Sequence, residues 1–186
     1  MKRRTVLKCA LAATFTAATS GPLYAHTPYR QWEVYRRKHL LIGCYRDDPS
    51  TYAIAKGLVA TLDAHLPKAS SRVARGPTAG RIASLIATGQ MDVAVLHPEV
   101  AANMIQGREL FAAWGPIAMS SIMQVGDYLF VAKNDFPDHH AWLVAEALDD
   151  RRSPFSDIAT DMPRHPGADA FHRGLPIPHS DAELAQ

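Results

Sequence analysis

The alternation of apolar segments and helical patterns between Leu40 and Gly107 constrains the fold of this chain more than any other feature. Three candidate strands, residues 40–44, 71–75 and 91–96, each run directly into a segment with helical periodicity, although residues 71–75 carry two arginines and give the weakest strand signal. An unbroken apolar run such as residues 40–44 is typical of a strand that is covered on both faces. The pattern predicts an α/β fold with a mostly parallel sheet, flanked by helices and joined by right-handed crossovers.

Helix signals support the same reading. Asp48 is a suitable N-cap, and Pro49 follows it at the first helical position. Gly89 and Gly107 stand where the second and third helices should end in a left-handed residue.

Three loops of this segment are the first candidates for a ligand site. Residues 45–52, 76–81 and 97–99 each leave the carboxyl end of a predicted strand and enter a helix N-terminus. Ligands of open α/β sheets bind at such an edge, because unpaired N–H groups and positive helix ends meet there. The sequence therefore predicts a site for a small anion, most simply a carboxylate.

The remainder of the chain is less regular. We expect a fourth strand at residues 110–114, a short apolar segment at 117–124, a strand at 128–132 and a helix that ends near residue 148. The predicted lobe spans residues 39–150. Residues 151–186 form a proline-rich tail with at most short helices, for example around 168–173, and this tail either lies on the body or stays mobile.

The N-terminus has the composition of an export signal. Lys2, Arg3, Arg4 and Lys8 precede a short apolar region, and residues 1–25 resemble a twin-arginine signal of bacteria. An ordinary secretory signal is the alternative. Without these residues the chain has 16 basic and 18 acidic residues, so its charge gives no reason to expect nucleic-acid binding. The predicted location is the periplasm.

Two further features of the sequence, the segment after the export signal and a single cysteine, each allow two interpretations. The arm formed by residues 26–38 mixes aromatic and basic side chains, and it either packs on the domain or contacts nucleic acid or acidic lipid. Cys44 is the one cysteine beyond the export signal. It is either a buried apolar residue or a reactive thiol that faces the first loop.

Four collinear stretches resemble the TAXI-type solute receptors of TRAP transporters. They are residues 76–80 (Gly-Pro-Thr-Ala-Gly) with 88–96, residues 42–43 with 52–58, residues 128–138, and residues 174–179 (Gly-Leu-Pro-Ile-Pro-His). The resemblance implies a periplasmic-binding fold of type II, in which two lobes close on a small organic anion, often a carboxylate or an amino acid. In the family the second lobe precedes the strand that matches residues 128–132. Only residues 108–127 stand there, so we expect roughly one lobe.

The resemblance also indicates ligand-binding positions. Thr78, Gly80 and His97 match pocket positions of the family by their place in the motifs. Arg81 stands where the family has a serine, and it either pairs with a carboxylate in place of that hydroxyl or is a solvated arginine. The full set of predicted ligand-binding residues is Tyr45, Tyr52, Thr78, Gly80, Arg81 and His97.

Catalytic and metal motifs are weak. The chain has no GxSxG, P-loop or GxGxxG motif, and the pattern indicates neither an enzyme nor a cofactor. His165, His172 and His179 recur every seven residues and are the candidates for a metal site, although the intervening prolines forbid a continuous helix.

These observations predict an exported solute-binding protein that recognises a small organic anion, with the permease subunits of a TRAP-type transporter as its partners. The alternative is a periplasmic accessory protein whose partner covers the open cleft. Its contact surface would be an exposed apolar patch of Ile117, Met119, Ile122 and Met123. Histidine-based metal carriage is the third possibility.

Overall fold

The computed structural model describes residues 38–148 and 162–179, which all belong to the unit Val34–Gln186. The described strands are β1 (Leu41–Tyr45), β2 (Arg72–Gly76), β3 (Val93–Leu96), β4 (Met119–Val125) and β5 (Tyr128–Lys133). The described helices are α1 (Pro49–His65), α2 (Ala79–Ala87), α3 (Pro98–Gln106), α4 (Asp138–Leu148) and α5 (Pro166–His172), with two short 3-10 turns at Pro67–Ala69 and Glu109–Phe111.

The five strands form one sheet in the order β2-β1-β3-β5-β4. Strand β1 is central to the parallel part and pairs in parallel with both β2 and β3. Strand β5 is antiparallel to β3 and to β4, so the other four strands point one way. The predicted α/β class, with a mostly parallel sheet flanked by helices, is therefore confirmed.

Helices cover both faces of the sheet, and alternate residues of each strand face different helices. Ile42, Val93 and Phe130 pack in a cluster with apolar residues of α1, α4 and α5. Ala94 and Leu129 lie in a second cluster with residues of α2, α3 and the turn at Glu109–Phe111. Burial on both faces explains why β1 and β3 are continuous apolar runs in the sequence.

The predicted helix boundaries agree with the structure. The carboxylate of Asp48 accepts the N–H of Ser50 at 3.1 Å and caps α1, which begins at Pro49. Gly107 follows α3 with φ +61°. A Cβ atom there would stand 2.5 Å from the carbonyl carbon of Gly115, so both the conformation and the space require glycine.

Two predictions between residues 108 and 125 are wrong. Residues 110–114 are not a strand, because the chain forms a 3-10 turn at Glu109–Phe111 and then a further turn. The predicted exposed apolar patch is also wrong: Ile117, Met119 and Ile122 are buried, and Met123 is half-buried. These residues pack on the sheet, since β4 is hydrogen-bonded to β5 and covered by helices.

A tight turn joins β4 to β5 at the place where the resemblance implies a second lobe. Only Gly126 and Asp127 separate the two strands, and Gly126 has φ +58°. Gln124 pairs with Leu129 and Val125 with Tyr128, so the pairing continues up to the turn. The described residues therefore contain one lobe.

The described part of the tail lies on the body. The N–H of Ser121 donates to the carbonyl of Pro163 at 2.9 Å, and the N–H of His165 donates to the carbonyl of Ser121 at 2.8 Å. Helix α5 then packs on α4, where Trp142 donates its ring N–H to the carbonyl of Leu175 at 3.1 Å. Of the two alternatives for the tail, docking holds for residues 162–179.

Several predictions lie outside the described residues. They are the export signal at residues 1–25, the arm at 26–38 apart from Lys38, and the stretches 149–161 and 180–186 of the C-terminal part. Within the described ranges, no helix is both long enough and apolar enough to cross a bilayer.

Candidate ligand-binding rim

The three predicted loops meet at one edge of the sheet, called here the carboxyl rim: residues 45–52, 76–81 and 97–99. Tyr45 ends β1 opposite Gly76 of β2, and the N–H of Arg46 donates to the carbonyl of Gly76 at 3.1 Å. His97 directly follows β3, which pairs in parallel with β1, so the third loop lies beside the first. The positions of Tyr45, Thr78 and His97 at one edge agree with the parallel order of β1, β2 and β3.

The first loop is held by the buried hydroxyl of Thr51. This hydroxyl lies 2.7 Å from the carbonyl oxygen of Asp48 and accepts the N–H of Tyr45 at 3.2 Å. A loop fixed by a buried side chain loses little conformational entropy when a ligand binds. The first loop is therefore a preformed part of the rim.

Tyr45 lies beneath the rim rather than on it. Its residue surface is 4% exposed, and its ring packs in the apolar cluster under α2 and α3. Burial, with a smaller contribution from the carboxylate of Asp48, raises the pKa of Tyr45 to about 12. The phenol is therefore neutral and offers little surface to a ligand.

Thr78, Gly80 and Arg81 surround the start of α2. The hydroxyl of Thr78 accepts the N–H of Arg81 at 3.2 Å, which caps the helix. Thr78 and Arg81 are exposed and Gly80 is half-buried. This part of the rim is open to solvent, and the guanidinium of Arg81 is its cationic group.

Tyr52 makes cation–π contacts at the side of the sheet. The guanidinium carbon of Arg75 lies 4.7 Å from the centre of its ring, and the ammonium of Lys56 lies 5.9 Å from it. Cation–π contacts of this kind orient the ring along the edge strand β2. The structure thus places Tyr52 on the α1 side of the sheet, whereas Tyr45 packs under α2 and α3.

Tyr128 is a rim residue that the sequence reasoning missed. Its hydroxyl donates to the carboxylate of Asp48 at 2.8 Å, and its ring meets His97 edge-on with a centroid distance of 5.7 Å. Tyr128 begins β5 directly after the two-residue turn. Such a turn implies that β4 and β5 are antiparallel, but it does not identify β3 as the neighbour of β5, so no local signal places Tyr128 at the rim.

Leu110 and Trp114 were also missed, because residues 110–114 were predicted as a strand. They are 58% and 38% exposed, respectively. A Cβ atom on Gly80 would lie 3.4 Å from Leu110 Cδ1 and 3.6 Å from Trp114 Cη2, so both side chains flank the start of α2. An apolar surface therefore adjoins the open part of the rim.

Cys44 is a buried residue of the sheet. Its side chain packs in the cluster of α1 and α4, and burial raises the pKa of its thiol, partly opposed by Arg75. A raised pKa leaves less of the nucleophilic thiolate. The structure favours the apolar reading of Cys44 over the reactive one.

The tail histidines do not form a metal site. Among the residues that the structure describes, which include His165, His172 and His179, no group of three His, Cys, Asp or Glu side chains could hold an ion. His165 is buried and hydrogen-bonds the carbonyl of Phe136 at 3.0 Å, while His179 is exposed. The part of the chain that the structure describes therefore does not bring these three histidines together as ligands of one ion.

Comparisons with protein-family models and with curated proteins identify no relative of this chain. No family model matches this chain, and no curated protein matches it. The resemblance to TAXI-type receptors therefore stays a prediction based on the four stretches quoted above.

Proposed function

We propose that this chain is an exported, non-enzymatic solute-binding protein that recognises a small organic anion, a carboxylate or an amino acid, at the carboxyl rim. The observation that carries the proposal is the convergence of three strand-to-helix loops at one edge, with exposed Arg81 in the first turn of α2. Loop N–H groups and a guanidinium are suitable partners for a carboxylate. The resemblance adds a TRAP-type permease as the expected partner and the periplasm as the location.

One lobe gives only half a binding site. The turn at Gly126 and Asp127 leaves no segment there that would close over the rim. A ligand held from one side keeps much of its contact with water, which limits the affinity. We expect dissociation constants in the millimolar rather than the micromolar range for an isolated carboxylate.

Arg81→Ala should weaken this binding about tenfold, because a charge-assisted hydrogen bond contributes about 1.5 kcal/mol. The measurement is the melting temperature of the full chain with succinate, citrate, glutamate or glycine added. Ligand at about ten times its dissociation constant should raise the melting temperature by about 3 °C. Arg72→Ala, at the other end of β2, is the matched control and should respond like the wild type. An unchanged melting temperature with every anion would refute the rim as a ligand site.

The alternative is a periplasmic accessory protein whose partner covers the rim, and one observation favours it specifically. Leu110 and Trp114 expose apolar surface beside Gly80, where a partner would displace water from both. This surface replaces the patch predicted from the sequence.

A bait carrying Leu110→Ser and Trp114→Ser should lose a partner that the wild-type bait captures. Leu175→Ser, at a similarly exposed leucine in the described tail, is the control and should retain it. Equal recovery with all three baits would exclude the rim as the contact surface.

A further inference from the structure

A cavity of about 610 Å³ lies at the end of the sheet opposite to the carboxyl rim. Leu40 precedes β1, Asp92 precedes β3 and Phe136 follows β5, and all three line the cavity. These positions coincide because β5 runs antiparallel to β3. The volume is in the range of small-molecule sites, about 300–1,000 Å³.

The walls of this cavity are apolar and come from four parts of the fold. Leu40 lines it from the start of β1, Leu66 from the end of α1, Phe136 from the loop after β5, and Leu143 and Val144 from α4. The backbone of the wall is fixed, since the N–H of Leu40 donates to the carbonyl of Ala69 at 3.0 Å. An apolar group that enters the cavity would gain about 25 cal/mol for each Å² removed from water.

Charged side chains of opposite sign line opposite sides of this cavity. Lys38 and Lys68 come from the segments before β1 and after α1. Asp92 and Asp135 come from the β3–β5 side, where the N–H of Lys133 donates to the carbonyl of Asp92 at 2.8 Å. The sheet order β2-β1-β3-β5 therefore separates a cationic side from an anionic side.

The charges are not neutralised equally. Of the two carboxylates, Asp135 pairs with the ammonium of Lys133 at 2.9 Å. The carboxylate of Asp92 has no direct ion pair within residues 38–148 and 162–179. Lys38 and Lys68 likewise have no ion pair with any acidic residue in the same ranges. The cavity thus presents two cations at one side and, at the other, the carboxylate of Asp92, which has no ion pair in these ranges and only the nearby ammonium of Lys133 to offset its charge in part.

We propose that this cavity is a second binding site, separate from the rim, for an amino acid with an apolar side chain. The carboxylate of the ligand contacts Lys38 and Lys68, its ammonium contacts Asp92, and its side chain lies against Leu66, Phe136 and Leu143. A ligand with a single charge would leave one side of the cavity unmatched. A zwitterion without an apolar side chain would leave the walls in water.

The protonation states agree with this assignment. Partial desolvation raises the pKa of Asp92, although the nearby ammonium of Lys133 opposes the rise. The pKa of His140, which also lines the cavity, is lowered, mainly by desolvation and also by His139. An ammonium group bound beside the partly desolvated Asp92 would stabilise its charged form.

Calorimetric titration of the full chain with L-phenylalanine tests the proposal. Phenylalanine should bind at least tenfold more tightly than 3-phenylpropanoate, which lacks the ammonium, phenethylamine, which lacks the carboxylate, and glycine, which lacks the side chain. Equal binding of 3-phenylpropanoate, or no binding of phenylalanine up to 10 mM (roughly 3 kcal/mol of binding free energy), would overturn the proposal.

Three variants locate the site. Asp92→Asn and Lys68→Gln, both at exposed residues, should each weaken phenylalanine binding about tenfold. Leu143→Trp should weaken it, because the larger ring takes up part of the space beside the apolar wall, with the circular dichroism spectrum as the check on folding. Arg81→Ala should leave it unchanged, so a failure at the rim and a failure here are distinguishable. Wild-type affinity in both Asp92→Asn and Leu143→Trp would place the ligand elsewhere and overturn the assignment.

Discussion

Gly167→Ala should lower the free energy of unfolding by about 3 kcal/mol or separate the tail from the body. A Cβ atom on Gly167 would stand 2.7 Å from the carbonyl carbon of Asp138 and would also overlap its oxygen. Both are backbone atoms of the first turn of α4, so no side-chain rotation relieves the overlap. Overpacking of this kind costs about 1–3 kcal/mol or more. Urea unfolding, followed through Trp142 beside Phe171, measures the loss.

Gly57→Ala is the matched control. Gly57 lies within α1, and apart from the backbone of its own helix nothing stands within 4 Å of the place that a Cβ atom would take. Alanine should raise the free energy of unfolding there by about 0.5–1 kcal/mol, because glycine loses more conformational entropy in a helix. If Gly167→Ala were as stable as the wild type, the close contact between α4 and α5 would not exist in solution.

Acidification from pH 7.5 to pH 5 should destabilise the protein through His165. The imidazole is fully buried, hydrogen-bonds the Phe136 carbonyl through Nε2, and accepts the N–H of Gly167 at Nδ1. Both contacts together require the neutral ring. Burial lowers the pKa of His165, while the carboxylate of Asp138, 3.7 Å from Nδ1, opposes this shift.

The sign follows from proton linkage. Above pH 6.5 the imidazole of His165 is mostly neutral in both the folded and the unfolded state, so His165 makes its full contribution to the free energy of unfolding. As the pH falls below 6.5, the unfolded chain binds a proton that the folded chain excludes, and stability falls by up to about 1.4 kcal/mol per pH unit. The fall ends when the pH reaches the lowered pKa of the folded state. The pKa of His140 is also lowered and adds to the effect.

His165→Asn isolates this contribution, because asparagine can still accept the N–H of Gly167 but does not titrate in this range. Its stability at pH 7.5 should be lower than that of the wild type, and its slope between pH 6.5 and pH 5 should be shallower. His65→Asn, at an exposed position at the end of α1, should keep the wild-type slope. Identical slopes for all three proteins would contradict a neutral, buried His165.

The first half of the fold could be predicted because its signals are local. Asp48, Pro49 and Gly107 mark helix ends through their own backbone preferences, and the apolar run of β1 reports burial on both faces. The carboxyl rim then follows from the parallel direction of β1, β2 and β3. Each of these signals acts over a few residues.

The second half depends on pairing between distant residues. Met119 and Ile122 lie in different apolar clusters, and the ladder between β4 and β5 shifts register between Ser121 and Met123. This irregularity breaks the two-residue alternation that normally identifies a half-buried strand. The segment therefore appeared as an apolar patch without a partner.

The candidate site was predictable in position but not in detail. The loops of Thr78 and His97 lie where the alternating pattern places them, whereas the burial of Tyr45 and the contact between Tyr128 and Asp48 depend on β5. The burial and hydrogen bonds of His165 could not be predicted either, because its partners are distant in the sequence or on another element. Phe136 belongs to the loop before α4, and Gly167 belongs to α5. A seven-residue histidine spacing carries no information about such contacts.

The turn between β4 and β5 has a consequence for engineering. Gly126 and Asp127 are exposed, and a guest domain whose termini are close together could be grafted between them without interrupting any strand. Such a graft would be anchored beside Tyr128, and hence next to His97, at the edge where three loops meet. A fluorescent protein at this point would report on occupancy of that edge, and a designed cap would convert the open half-site into an enclosed one.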